Sequence, residues 1–243
     1  MLPGLITALR LLSILPIPGR ESRHFIDGLP WYPAAGAVLG YLVCGVCLLA
    51  HAVAPDWGGL LAVLGLAASI ALTRGLHLDG VADCADGFWG GHERRRRLEI
   101  MKDSRIGAFG VIALVLVLLG EWTALERMVD VDTIILIPVA FIVSRFGIVL
   151  LAHCFEYPRA QGTGAAVVKG ATRRHLWQAF GVGLLLSLPA GVAAVPLWGA
   201  GIAMTLAVGF LGKWKIGGVS GDVLGAGCVL SEMTLLFAIV LGS

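Results

Sequence analysis

AAGAVLGYLVCGVCLLAHAVA (34–54) is a run of 21 residues without a lysine, arginine, aspartate or glutamate. About 20 consecutive apolar residues match the hydrocarbon thickness of a bilayer, whereas a soluble core seldom needs so long a run. The stretch therefore decides the class of fold, and the rest of the chain agrees with it. Of 243 residues, 58% are hydrophobic and only 14% charged, with a mean hydropathy of +0.88. Soluble domains carry about 25% charged residues. An all-α integral membrane protein follows, folded as a single polytopic domain over 1–243.

Seven apolar segments qualify as spans: 34–54, 58–76, 107–125, 133–153, 176–196, 197–213 and 223–241. Pro196 and Gly199 read as a hairpin between the fifth and sixth. Residues 4–19 are too short and interrupted for a span and read as an interfacial or re-entrant helix. No cleaved signal peptide is expected, because a charged n-region and a small-residue cleavage site are both missing. The glycine-rich spans, such as GAVLGYLVCG, predict close helix packing. Cys44 and Cys47 have redox spacing but sit mid-span, where apolar packing is the simpler reading.

Charge is concentrated in a few places. Fifteen of the 18 basic residues fall before the first span or in the loops 77–106, 154–175 and 213–222. Arg127 lies on the other side, and Arg74 and Arg145 fall within spans. The positive-inside rule makes the basic side cytoplasmic, the N-terminus included. The basic residues are not interleaved with aromatics on a soluble face, so nucleic acid is not an expected partner.

On that side stands HLDGVADCADGFWGG (77–91), with Asp79, Asp83 and Asp86 at i, i+4 and i+7. In a helix these three lie within roughly 60° of one another. Like charges so placed repel, and a divalent cation reverses that interaction; Mg2+ takes carboxylates together with phosphate oxygens. The plainer alternative is a solvated acidic loop built on Asp-Gly turns. Gly80 and Gly87 would let a phosphate or a backbone come close and join the candidate phosphate-binding residues.

LEIMKDSRIGAFG (98–110) adds Lys102 and Arg105 as candidate phosphate contacts, and Asp103 as a further ligand or a base. Arg94 to Arg97 read as a stretch bound to anionic lipid. Two intramembrane charges, Arg145 and Glu232, are expected to be partnered: Arg145 with Glu232, or Arg145 with substrate phosphate. KIGGVSGDVLGAG (215–227) is a glycine-rich entry to the last span, where Asp222 either caps the helix or belongs to an anion site.

Taken together, LHLDGVADCADGFWGG (76–91), LEIMKDSRIGAFG (98–110) and KIGGVSGDVLGA (215–226) resemble the cobalamin synthase family, the adenosylcobinamide-GDP ribazoletransferases. WYPAAGAVLG (31–40) and SRFGIVLLAHCFEYPRAQGTGAA (144–166) agree with it more loosely. Cys84 and Val229 depart from the family pattern, at positions where a small residue and an acidic one are expected. The resemblance implies a multi-pass enzyme of the bacterial inner membrane. It would join adenosylcobinamide-GDP to α-ribazole or its 5′-phosphate, release GMP and require Mg2+; a homo-oligomer is compatible with it. By position, Asp79, Asp83 and Asp86 would carry the metal, with Asp86 or Asp103 accepting the hydroxyl proton. Two other readings compete. A CDP-alcohol phosphotransferase would share the aspartates, but the Ala-Arg pair of that motif is replaced here by Ala82-Asp83. A transporter would place its charges at mid-membrane between inverted halves, whereas here they lie in loops.

Overall fold

A computed structural model describes residues 3–129, 131–162 and 164–242, and every regular element in them is helical. The chain opens with α1 (Pro3–Leu12), shorter than the 4–19 segment expected, and a 3-10 turn (Phe25–Trp31). Then come α2 (Tyr32–Val53), α3 (Gly58–Thr73), α4 (Leu76–Gly90) and α5 (Arg94–Ile100). α6 (Ala108–Arg127), α7 (Val131–Ile134) and α8 (Ile137–Cys154) follow, and the short α9 (Ala165–Gly170) precedes α10 (Arg173–Ser187). α11 (Ala194–Ile216) and α12 (Gly221–Leu241) complete the chain.

Against seven expected spans, five helical stretches are long and apolar enough to cross a membrane, or six if the bent pair α3 and α4 counts as one. Two breaks account for the difference. α3 has only 16 residues and turns by 90° into α4. Arg74 and Gly75 both adopt the left-handed conformation there, with φ of 55° and 64°. The second break lies in the apolar stretch 173–216, whose 44 residues would extend to about 66 Å as one helix, twice the hydrocarbon core. It bends where Gly191 takes φ 56° in a 3-10 turn over Leu188–Ala193, a few residues earlier than the turn expected at Pro196 and Gly199.

α8 stands at the centre and is buried on all sides over most of its length, as befits a helix apolar all round. α2, α10, α11 and α12 pack around it. α2 lies against α8 through Gly36 and Gly40; a Cβ at Gly40 would stand 2.7 Å from the Pro138 Cα, so the small-residue span serves close packing. Cys44 and Cys47 are buried free thiols in this core. α6 is only lightly enclosed and leaves Val111, Ile112, Val115, Leu116 and Leu119 exposed, a surface suited to lipid.

Among the described residues, one ion pair lies inside the bundle. Arg145 of α8 is 2% exposed and pairs with Glu232 of α12. Its Nη1 also donates to Ser144 Oγ at 2.9 Å, and its guanidinium stacks 4.5 Å from the Phe141 ring centroid. Of the two expected partners, Glu232 is the one found. Arg145 does not line the cleft described below, and the phosphate-binding role for it is withdrawn.

Candidate functional site

The aspartates do lie on a helix. α4 runs through all three, and its polar side faces a cleft of about 750 Å³. Asp79 and Asp83 line one wall, while Arg10, Arg74, Lys102 and Arg105 line the others. Arg74 reaches this cleft because the left-handed bend places it at the mouth of α3 rather than inside a span. The side chains of Arg74 and Lys102 make no hydrogen bond or ion pair with any described residue, so both are free to meet an anion.

Asp86 has a different occupation. It is 9% exposed, and its two carboxylate oxygens accept from the backbone N–H groups of Gly107 (2.7 Å) and Gly110 (2.8 Å). Those are first-turn donors of α6, whose own N-cap, Gly107, offers no side chain. Asp86 thus caps α6 from another helix, with favourable dipole interaction. A Cβ at either Gly107 or Gly110 would collide with its carboxylate, which explains the Gly-x-x-Gly spacing in IGAFG. The sequence-based assignment of Asp86 to metal and catalysis is therefore revised: its oxygens are committed to α6.

Asp222 takes its place beside the other two. It lies in the first turn of α12, which Ser220 caps by accepting from Val223 N, so the capping alternative for Asp222 is not realised. Ser220 Oγ donates to Asp222 Oδ2 at 3.1 Å. Asp79 and Asp222 both line a second cavity of about 410 Å³, so Asp79 borders two hollows. Asp83 experiences the charges of Asp222, Asp79, Asp86 and Arg159. α4 and α12 cross closely here, since a Cβ at Gly80 would stand 2.5 Å from the Asp222 carbonyl oxygen. At Gly87 the space is taken by Met101, whose Sδ would stand 3.0 Å from an added Cβ. Both glycines accommodate protein rather than phosphate.

Asp103 is held by Arg105. Nε and Nη2 of Arg105 fork onto its two oxygens at 3.0 and 2.7 Å, and the Arg105 amide donates to Oδ1 at 3.1 Å. These hydrogen bonds hold the exposed Asp103 carboxyl below the usual carboxylate range, at about 2. A carboxylate so placed is a weak proton acceptor, which argues against Asp103 as the base.

The arginine run also divides. Arg94 Nε donates to Ile216 O (2.7 Å) and Arg97 Nη1 to Lys215 O (2.8 Å), satisfying the last carbonyls of α11. Arg95 and Arg96 remain on the outside, paired with Glu99. A basic residue with no site role assigned from sequence is Arg159, whose Nη2 lies 3.9 Å from Asp222 Oδ2. Its stretch, 144–166, agrees with the family only loosely, and nothing in it singles out Arg159.

Among the described residues, no group of three or more His, Cys, Asp or Glu is already set to enclose a metal ion. Asp79 shares one hollow with Asp83 and another with Asp222, a hard-oxygen lining near which, among the described residues, Arg159 alone comes into ion-pair range. Such a set fits magnesium, which usually takes one or two carboxylates and fills its remaining positions with water and substrate phosphate oxygens.

A family model for cobalamin-5-phosphate synthase matches residues 4–240. The adenosylcobinamide-GDP ribazoletransferase of Chlorobaculum tepidum is 42% identical over 238 residues, 96% of this chain and 92% of the relative. That of Chlorobium phaeovibrioides is 38% identical over 242 residues, 98% and 95% of the two chains. The Syntrophobacter fumaroxidans protein of the same name is 34% identical over 244 residues, 96% of each chain. No solved structure matches.

Proposed function

The chain belongs to the cobalamin-5-phosphate synthase family, and from that premise we propose that it joins adenosylcobinamide-GDP to α-ribazole or its 5′-phosphate, with release of GMP. The observation that carries the chemistry is the cleft in which Asp79 and Asp83 face the unpartnered cations Arg74 and Lys102. A diphosphate carries both the charge that cations bind and the oxygens that a carboxylate-held divalent ion shares.

The hydroxyl oxygen of α-ribazole attacks the phosphorus that bears cobinamide. A new P–O bond forms, the bridging P–O bond breaks, and its electron pair leaves on GMP. Such a transfer depends on positioning and charge neutralisation. Lys102 and Arg74 orient the diphosphate along the cleft. Asp79 and Asp83, together with Asp222, would hold Mg2+, which when bound offsets charge on the diphosphate. Since Asp86 is tied to α6 and Asp103 to Arg105, the hydroxyl proton is left to Asp79 or Asp83, the carboxylates open to the cleft.

The same reading places the protein in a bacterial inner membrane with α4, α5 and the start of α12 toward the cytoplasm, following the bias of basic residues. Purified protein with Mg2+, adenosylcobinamide-GDP and α-ribazole should release GMP. Absence of GMP, with CMP instead released from a CDP-alcohol, would transfer the chain to the lipid-forming phosphotransferases. Counterflow of a solute in vesicles, without turnover, would favour a transporter.

A further inference from the structure

Arg159 lies between the carboxylates and a separate basic groove. Its side chain is 13% exposed, and Nη2 donates to Leu98 O at 3.2 Å while lying 3.9 Å from Asp222 Oδ2. Its Nε is buried and has no hydrogen-bond partner among the described residues. A buried guanidinium N–H without an acceptor is costly, and a ligand oxygen would relieve it. The groove, of about 380 Å³, is lined by Arg94, Arg95, Lys102 and Arg159, with Glu99 at its edge. Lys102 lines both this groove and the aspartate cleft, so the two spaces meet at one cation. The loop bearing Arg159 is fixed to the entry of α12 by Val219 N, which donates to Glu156 O at 2.8 Å.

We propose that this groove receives the phosphate of the leaving nucleoside monophosphate, with Arg159 and Lys102 as the residues that bind it. The proposal rests on the transfer reaction above and specifies where its two phosphoryl groups part. The phosphorus that gains the α-ribazole oxygen stays in the cleft, beside Asp79 and Asp83. The bridging oxygen leaves on the other phosphorus with the electron pair of the broken bond, and its charge falls between Lys102 and Arg159. Arg159 offers a planar fork suited to phosphate, and it turns inward to Leu98 O and Asp222, not outward as a lipid-binding arginine would.

Equilibrium dialysis of labelled GMP against the full chain in detergent tests this. Arg159→Gln should weaken GMP binding by about 10- to 100-fold, the range expected for loss of a charged hydrogen-bond donor. Arg159→Lys should recover part of that loss, Arg95→Gln should weaken binding to a lesser degree, and Arg173→Gln should leave it unchanged. Unchanged GMP affinity in Arg159→Gln, or no GMP binding by the wild type, overturns the proposal. Loss of the wild type's GMP binding when phosphatidylglycerol is added to the detergent also overturns it, since the groove would then hold a lipid headgroup. Should Arg159→Gln fail to fold, Arg159→Lys and Arg95→Gln decide the question by the same measurement. Arg159-dependent GMP binding in a protein that releases no GMP from adenosylcobinamide-GDP would leave the groove standing and remove the reaction.

Discussion

At Asp83 and Asp86, one turn apart on the same helix, identical side chains do different work. Asp83 opens on the cleft, so Asp83→Asn should abolish GMP release while membrane insertion and the melting temperature in detergent stay as in the wild type. Asp86 satisfies two α6 donors, so Asp86→Asn should cost about 1–3 kcal/mol of stability and leave the magnesium concentration for half-maximal rate unchanged. A tenfold rise in that concentration would return Asp86 to the metal set. Asp103 already ionises at about 2, below the unfolded carboxyl range; between pH 5 and 8 it stays charged and supplies no titration to the rate. Asp103→Asn should therefore lower kcat/KM through Arg105 while leaving the acid limb of the pH profile where it was. The buried pair answers to a different measurement. Arg145→Gln leaves Glu232 buried without a cation and should destabilise by about 3–5 kcal/mol. The double variant with Glu232→Gln should recover much of that, as read by thermal unfolding.

Among the elements, α4 presents the proposed site's aspartates, and three contacts fix it. Its start is set by the left-handed turn at Arg74 and Gly75, its middle by the crossing with α12 at Gly80, and its end by Met101 against Gly87. Gly80→Ala would push the Asp222 backbone away, costing roughly 1–3 kcal/mol by overpacking and displacing Asp222 from Asp79. Turnover should fall by more than stability alone explains, measured below the melting transition. The acidic helix was legible in the sequence because carboxylates at i, i+4 and i+7 are a helical signal that needs no tertiary context. Its contact with α12 was not, because a glycine after an aspartate reads equally well as room for phosphate or for backbone. The arginine run shows the same division: its charge was plain, but only the position of α11 shows that Arg94 and Arg97 close that helix.

For the molecule as a whole, 30 or so exposed large apolar side chains on helices of this length require a bilayer or detergent around the protein. Extraction from membranes should need detergent and resist high salt or alkaline carbonate. Single cysteines on a cysteine-free background, at Ser104 and at Glu126, should label from opposite faces, with Ser104 reached only after the cytoplasmic side is opened. Labelling of both from one face would refute the orientation drawn from the basic loops.

Composition and the length of apolar runs were enough to determine that this chain is helical and membrane-embedded, because a bilayer core admits little else. The order of its polar segments was enough to resemble one family. What the chain could not determine by itself is which carboxylates meet. Asp79 and Asp83 share a helix with Asp86, but Asp222 lies more than 130 positions away and Arg159 more than 70. They gather only when α12 crosses α4 at Gly80, while Asp86 is drawn off to cap α6. Spacing along a chain reports which side chains share a face, whereas the partner of that face is chosen by packing between elements distant in sequence.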